Sequence, residues 1–137
     1  MIIYLAGNIQ GCTKDEARGW RDQATEFLNG YEIKTLDPCR GKDDFRRRYE
    51  PKEIVLRDLR DIDSSSLILA KLELDENSHG TGTSMEIMFA WLNRIPVVLV
   101  TKNKALARHY WIQAFVTRVF EDLQDALDYI VEYWRTK

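Results

Sequence analysis

Ile2-Ile3-Tyr4-Leu5-Ala6-Gly7-Asn8-Ile9-Gln10-Gly11, followed closely by Thr13-Lys14-Asp15-Glu16, is an apolar run stopped by glycine, then a turn, then a helix start. An unbroken apolar run of this length has no polar face for solvent, which is the pattern of a parallel strand covered on both sides. Thr13 and Glu16 have the spacing of a capping box, and Ala17, Trp20, Ala24, Phe27 and Leu28 follow at helical intervals up to Gly30. Tyr31 to Leu36 alternates and is rich in β-formers, so it reads as a second strand closed by Asp37-Pro38. These segments make one β-α-β unit, and a second strand reached through a helix runs parallel to the first.

The same alternation continues outward from that unit. Pro51 suits a first helical turn, and Ile54, Val55, Leu59 and Ile62 give an apolar face through Asp63. Ser66 to Leu72 reads as a third strand, Ser84 to Asn93 as a helix and Pro96 to Val100 as a fourth strand. Residues 102–114 follow no single period, Phe115 to Val119 fits a short fifth strand, and Leu123, Ala126, Leu127, Ile130 and Trp134 mark a last amphipathic helix. Strands alternating with helices from end to end predict an α/β fold. The expected architecture is one doubly wound, mostly parallel five-stranded sheet, flavodoxin-like or Rossmann-like, forming one domain over residues 1–137.

Composition narrows the function classes. Twenty Lys and Arg against 22 Asp and Glu give a formal net charge of −2, without the positive field that a nucleic acid polymer requires. Runs such as Ile95 to Val100 are too short to span a bilayer, and the start of the chain lacks the form of a signal peptide. A soluble, cytoplasmic protein without a membrane partner is expected. Cys12 and Cys39 have no metal-ligand spacing and read as reduced thiols.

In doubly wound sheets ligands bind outside the carboxyl ends of the strands, which places Gly7 to Gly11 and Glu73 to Thr83 on one crevice. The first segment lacks both the Walker lysine and the G-x-G-x-x-G spacing. Its glycines either permit a tight turn or let backbone donors meet an anion or a sugar hydroxyl. Gly80-Thr81-Gly82-Thr83-Ser84-Met85-Glu86-Ile87 puts backbone donors, three hydroxyls and a carboxylate at the crevice mouth. Thr83 and Glu86 also have capping-box spacing, in which case the carboxylate only bonds the helix start. Asp58 is either a second carboxylate leaning toward this site or an exposed helix acid, and Tyr4 either lines it or packs in the core. Trp20 and Trp91 read as core residues, and His79 as a surface residue of the loop. Arg46-Arg47-Arg48 belongs to a polar loop, Gly41 to Tyr49, that covers a site or is simply solvated. A phosphotransfer receiver is disfavoured, because Ser66 to Leu72 carries no acid. A non-catalytic nucleotide-binding module, with Glu86 as a cap alone, remains the alternative from another class.

Ile3-Tyr4-Leu5-Ala6-Gly7, then Asp58-Leu59 ahead of Leu67 to Leu72, then Gly82-Thr83-Ser84-Met85-Glu86-Ile87 with Ala90 one turn on, resembles the nucleoside 2-deoxyribosyltransferase family. That family also contains nucleotide N-glycosidases acting on 5′-monophosphates. The resemblance implies Glu86 as nucleophile, Asp58 as the acid that handles the leaving base and Tyr4 as the phenol that positions the nucleophile. It further implies substrate contacts from Gly7, Asn8, Ile9, Ser78, Gly80, Gly82, Thr83 and Ser84, with no metal and no organic cofactor. The implied partners are a small-molecule nucleoside or nucleotide and a free nucleobase. A homo-oligomer, dimer or higher, is also implied, with the segment His109-Tyr110-Trp111 and Gln113 at its interface. Met88 stands where the family often has glycine, Gly80 where it has a polar residue, and Asn8 where monophosphate-acting relatives carry serine. Asn77, Ser78 and His79 are candidates for the displaced polar contact. Transfer to a second base and hydrolysis share their first half; family prevalence favours transfer, while the short chain and Arg46 to Arg48 suit the nucleotide hydrolases.

Overall fold

The computed structural model describes residues 1–9, 12–40, 49–74 and 79–135. Five strands, β1 (Ile2–Gly7), β2 (Lys34–Leu36), β3 (Leu67–Lys71), β4 (Val97–Val100) and β5 (Arg118–Phe120), form an all-parallel sheet in the order β2-β1-β3-β4-β5. The helices are α1 (Lys14–Asn29), α2 (Pro51–Asp63), α3 (Thr81–Leu92), α4 (Lys104–Arg108), α5 (Tyr110–Phe115) and α6 (Leu123–Tyr129), the last continued by a wider π-type turn over Ile130–Trp134. This strand order is the flavodoxin-like one, and it reverses between β1 and β3.

Alternate residues of each strand feed two cores, as the pleat requires. Ile3, Leu5, Leu67, Leu69, Val98 and Val100 pack against Ala24 and Leu28 of α1 and Leu123, Ala126 and Leu127 of α6. Tyr4, Ala6, Ile68, Ala70, Val97 and Leu99 face Ile62 of α2, Ile87 and Ala90 of α3 and Ile112 of α5. The sheet is therefore covered on both faces, which is why its strands carry no polar alternation. At α1 the capping box forms in full: Thr13 accepts from the Glu16 N–H, and the Glu16 carboxylate accepts from the Thr13 N–H.

Several boundaries differ from the sequence reading. β2 begins at Lys34 rather than Tyr31, because Tyr31 and Glu32 turn back to donate to the carbonyls of Leu28 and Asn29, with Glu32 left-handed at φ 62°. β5 starts at Arg118, since Phe115 still belongs to α5. The unassigned stretch 102–114 holds two short helices, each started by a side-chain cap: Asn103 accepts from the Leu106 N–H and His109 from the Trp111 N–H. α3 begins at Thr81, three residues before the expected start. The Arg46 to Arg48 cluster lies outside the described residues. Among the described residues, no helix is long and apolar enough to cross a membrane.

Candidate active site

The strand order reverses between β1 and β3, the position at whose carboxyl ends ligands bind in doubly wound sheets, and α3 starts from that end of β3. Gly80 starts this helix in the left-handed region, φ 66°, where a side chain is disfavoured. A Cβ there would also stand 2.7 Å from Leu72 Cδ1. The helix has no side-chain cap, and Thr83 is buried inside it. The capping-box reading of Thr83 and Glu86 therefore fails: the local pattern is present, but the helix has begun three residues too early to use it.

Glu86 is instead held from the sheet. The Tyr4 hydroxyl donates to Glu86 Oε2 at 2.6 Å across 82 residues of sequence. Tyr4 is fully buried, and its backbone is fixed between Leu36 and Ile68 of the neighbouring strands, so the phenol has a set position. Burial, above all, pushes the Tyr4 pKa far above that of a free phenol. The negative charges of Glu86 and Asp58 and the bond to Glu86 push it further, and the Arg21 charge opposes them only in part. Tyr4 therefore holds its proton beyond the pH at which a free phenol ionises, and donates it to the bond with Glu86. Asp58, half-buried on α2, is near enough for its charge to act on the same phenol. The three residues singled out for chemistry converge.

The β1 loop is tied to the β3 loop beside them. Asn8 Nδ2 donates to the Glu73 carbonyl at 2.8 Å, and the Glu73 carboxylate accepts from the Lys102 N–H at 2.9 Å, joining the loops after β1, β3 and β4. Because Nδ2 is committed to a carbonyl, the Asn8 amide is fixed in orientation, and its buried Oδ1 has no hydrogen-bond partner among the described residues. Gly7 leaves no room for a side chain: a Cβ would lie 2.8 Å from both the Lys71 carbonyl and Trp20 Cζ2. Ile9 is half-buried, Gly82 and Ser84 are exposed near the start of α3, and Ser78 lies outside the described residues. His79 is exposed, as expected.

Among the described residues, no three His, Cys, Asp or Glu side chains group as metal ligands. A cavity of about 580 Å³, lined in part by Trp91, Arg94, Phe115 and Trp134, opens at the other end of the sheet, where β4 and β5 begin. It is remote in the fold from the Tyr4–Glu86 pair.

Two residues at the carboxyl end of the sheet were not singled out by the sequence reading. Glu73 carried no signal of its own and was placed there only as the first residue of the segment to Thr83, since an acid after a strand is unremarkable by itself. Arg21 did carry one: it falls on the buried stripe Ala17, Trp20, Ala24 and Leu28 of α1, where a charge is out of place unless it is bonded.

A doubly wound sheet with a phenol-held carboxylate at its switch point defines a class of small-molecule enzyme sites rather than one reaction. The sequence model of one family, nucleoside 2-deoxyribosyltransferase, matches residues 3–131. The chain belongs to the nucleoside 2-deoxyribosyltransferase family. Similar solved structures include a 2-deoxyribosyltransferase from Bacillus psychrosaccharolyticus, with a TM-score of 0.69 at 19% identity, covering 94% of this chain and 92% of that one. The 2-desoxiribosyltransferase from Leishmania mexicana aligns with a TM-score of 0.75 at 16% identity over 96% and 97% of the two chains. A CMP N-glycosidase from Clostridium botulinum aligns with a TM-score of 0.66 at 15% identity over 97% and 99%. At such identities the likeness is one of fold. Among curated proteins, no sequence matches this chain.

Proposed function

We propose that this chain is a single-domain glycosyl-transferring enzyme that cleaves the N-glycosidic bond of a (2′-deoxy)nucleoside or its 5′-monophosphate and passes the sugar to another base. The observation that carries the reading is the 2.6 Å bond from Tyr4 to Glu86 at the strand reversal, with Asp58 acting on the same phenol. In the first half, a Glu86 oxygen attacks the anomeric carbon as the bond to the base breaks, and the electron pair of that bond stays on the base nitrogen. Asp58 delivers a proton to the departing base, which lowers the cost of its leaving. The sugar is then joined to Glu86 as an ester-linked intermediate. In the second half, a nitrogen of the incoming base attacks the same carbon, Glu86 leaves as a carboxylate, and the proton returns to Asp58. Tyr4 donates to the nucleophile and keeps one of its oxygens oriented. Gly7, Asn8, Ile9, Ser78, Gly80, Gly82, Thr83 and Ser84 form the substrate-binding set. The unpartnered Asn8 Oδ1 suits a ligand hydroxyl or amino group rather than a phosphate oxygen, because both it and the phosphate are acceptors. No metal or organic cofactor enters this chemistry.

The protein is also proposed to work as a cytoplasmic homo-oligomer. α3 is apolar on nearly every side and exposes Met85, Met88, Trp91 and Leu92, while α5 adds Tyr110 and Trp111. A helix apolar all round belongs in an interior, and a second copy of this uncharged surface covers it without like-charge repulsion.

The test is chromatography of ribo- and deoxynucleosides and their 5′-monophosphates, with and without a second free base, using the wild type and Glu86→Ala. Exchange of base that vanishes in the variant supports transfer. Release that ignores the second base makes the enzyme a hydrolase instead, and no turnover with ligand binding intact would leave a binding module.

A further inference from the structure

Backbone groups of Met1, Ile3, Leu5 and Gly7 point toward β2, beginning with the Lys34 N–H donated to the Met1 carbonyl at 3.1 Å. Carried onward in the same register, the donors for the Leu5 and Gly7 carbonyls would be the backbone nitrogens of residues 38 and 40. Residue 38 is proline and has no N–H. The Arg40 N–H is spent within a turn, on the Asp37 carbonyl at 3.1 Å. β2 thus ends at Leu36, and the last two carbonyls of β1 on that side lose their strand partners.

Arg21 takes their place. Its Nε donates to the Leu5 carbonyl at 3.2 Å, Nη2 to the Gly7 carbonyl at 3.0 Å and Nη1 to the Ala17 carbonyl. The side chain is fully buried, the only charged one so buried among the described residues, with the Asp37 carboxylate 3.7 Å from Nε and the Trp20 ring 4.8 Å from its carbon centre. A planar fork is what this geometry needs, since one rigid group must serve carbonyls on both a strand and a helix. Gly7 fits the arrangement, because a Cβ there would lie 3.2 Å from Nη2.

We propose that Arg21 is a positioning residue for the substrate loop Gly7–Ile9: it stands in for the missing end of β2 and fixes where the turn leaves the sheet. The loop is then held from both edges, by Arg21 on the β2 side and by the Asn8 bond to Glu73 on the β3 side. Tyr4 lies one step earlier, inside the intact ladder, so loss of Arg21 displaces the substrate contacts while the phenol keeps its place beside Glu86 and loses only the Arg21 charge that acts on it. Arg21 itself touches no substrate. The inference rests on the proposed reaction only in assigning Gly7–Ile9 to the substrate.

The experiment compares wild type, Arg21→Lys and Arg21→Met in the full chain by base-release kinetics and by amide hydrogen exchange, with the Arg21 Nε–H followed in ¹⁵N spectra. In the wild type that N–H is expected to exchange slowly. Arg21→Met is expected to raise KM by about tenfold or more with kcat within about threefold, and to speed exchange at Asn8 and Ile9, the pattern of lost ground-state positioning. Arg21→Lys, which keeps the charge but not the fork, is expected to fall between the two. Unchanged KM and unchanged loop exchange in both variants would overturn the proposal. So would a fall in kcat that merely follows the unfolded fraction. If Arg21→Met does not fold, Arg21→Lys and the wild-type Nε–H still decide it. Absence of turnover in the wild type would sink the glycosyl reading alone, because the exchange measurements report on the loop without substrate.

Discussion

Replacing Tyr4 by phenylalanine removes one oxygen and leaves the buried ring in place. The hydroxyl makes a 2.6 Å bond to a carboxylate oxygen, within the range of charge-assisted O–H···O⁻ bonds. Bonds of that kind contribute about 1.5–3 kcal/mol, and at about 1.4 kcal/mol per factor of ten the loss corresponds to roughly 10- to 100-fold in rate if it falls wholly on the transition state. Glu86 is only half-buried, so water can replace the lost donor without restoring its direction, which puts the expected fall in kcat/KM near the lower end. Stability should change little, by about 1 kcal/mol or less, because the ring still fills its site and the freed oxygen is partly solvated. The assay is single-turnover base release alongside urea unfolding. Activity within about twofold of wild type, with the fold intact, would refute the claim that the phenol orients the nucleophile.

Three further outcomes are expected. The Tyr4 pKa is raised by folding, so the stability it contributes is complete below the ordinary phenol value and is lost as pH climbs above about 10, at up to about 1.4 kcal/mol per pH unit. Burial also raises the Cys39 thiol, with the same sign above its ordinary value of 9.0, so urea midpoints between pH 9 and 11 should fall less steeply in Tyr4→Phe without becoming flat. Gly80→Ala forces a Cβ onto a backbone at φ 66° and toward Leu72 Cδ1, and should cost about 1–3 kcal/mol by denaturant unfolding while slowing turnover; a change under about 0.5 kcal/mol would show that α3 starts without strain. If the proposed homo-oligomer forms through α3, Met88→Glu with Trp91→Glu should lower the sedimentation coefficient to that of a monomer, and an unchanged coefficient would remove α3 from the proposed interface.

The legible parts of the fold were those fixed by short-range pattern. The apolar run of β1, the Thr13–Glu16 cap and the apolar stripe of α6 each announce themselves, because burial on two faces, an orphan N–H and helical periodicity leave marks within a few residues. β2 did not, since Tyr31 is a good strand residue and the alternation runs on through Glu32, yet both are overruled by the turn that ends α1. Thr83 and Glu86 show the limit from the other side: two structures satisfy the same four-residue pattern, and only a hydroxyl 82 residues away separates them. Resemblance to a family named Tyr4, Asp58 and Glu86 together, whereas their residue types alone left each one open. Arg21 was visible as a charge on an apolar stripe, yet its purpose depends on Pro38, which removes a donor in a different part of the chain.

The two outer strands of the sheet, β2 and β5, are three residues each. An edge this short offers an incoming chain only a few free backbone groups, too few to template edge-to-edge pairing. The four-residue β4 and the longer β1 and β3, which would be hazardous if bare, are enclosed between these stubs. The molecule is thereby guarded against strand-mediated aggregation by short edges that each also carry an exposed charge, Lys34 on β2 and Arg118 on β5. Lengthening β2 would unguard that flank: replacing Pro38 with a residue that has an N–H could return a donor to Leu5, compete with Arg21 and extend the exposed rim.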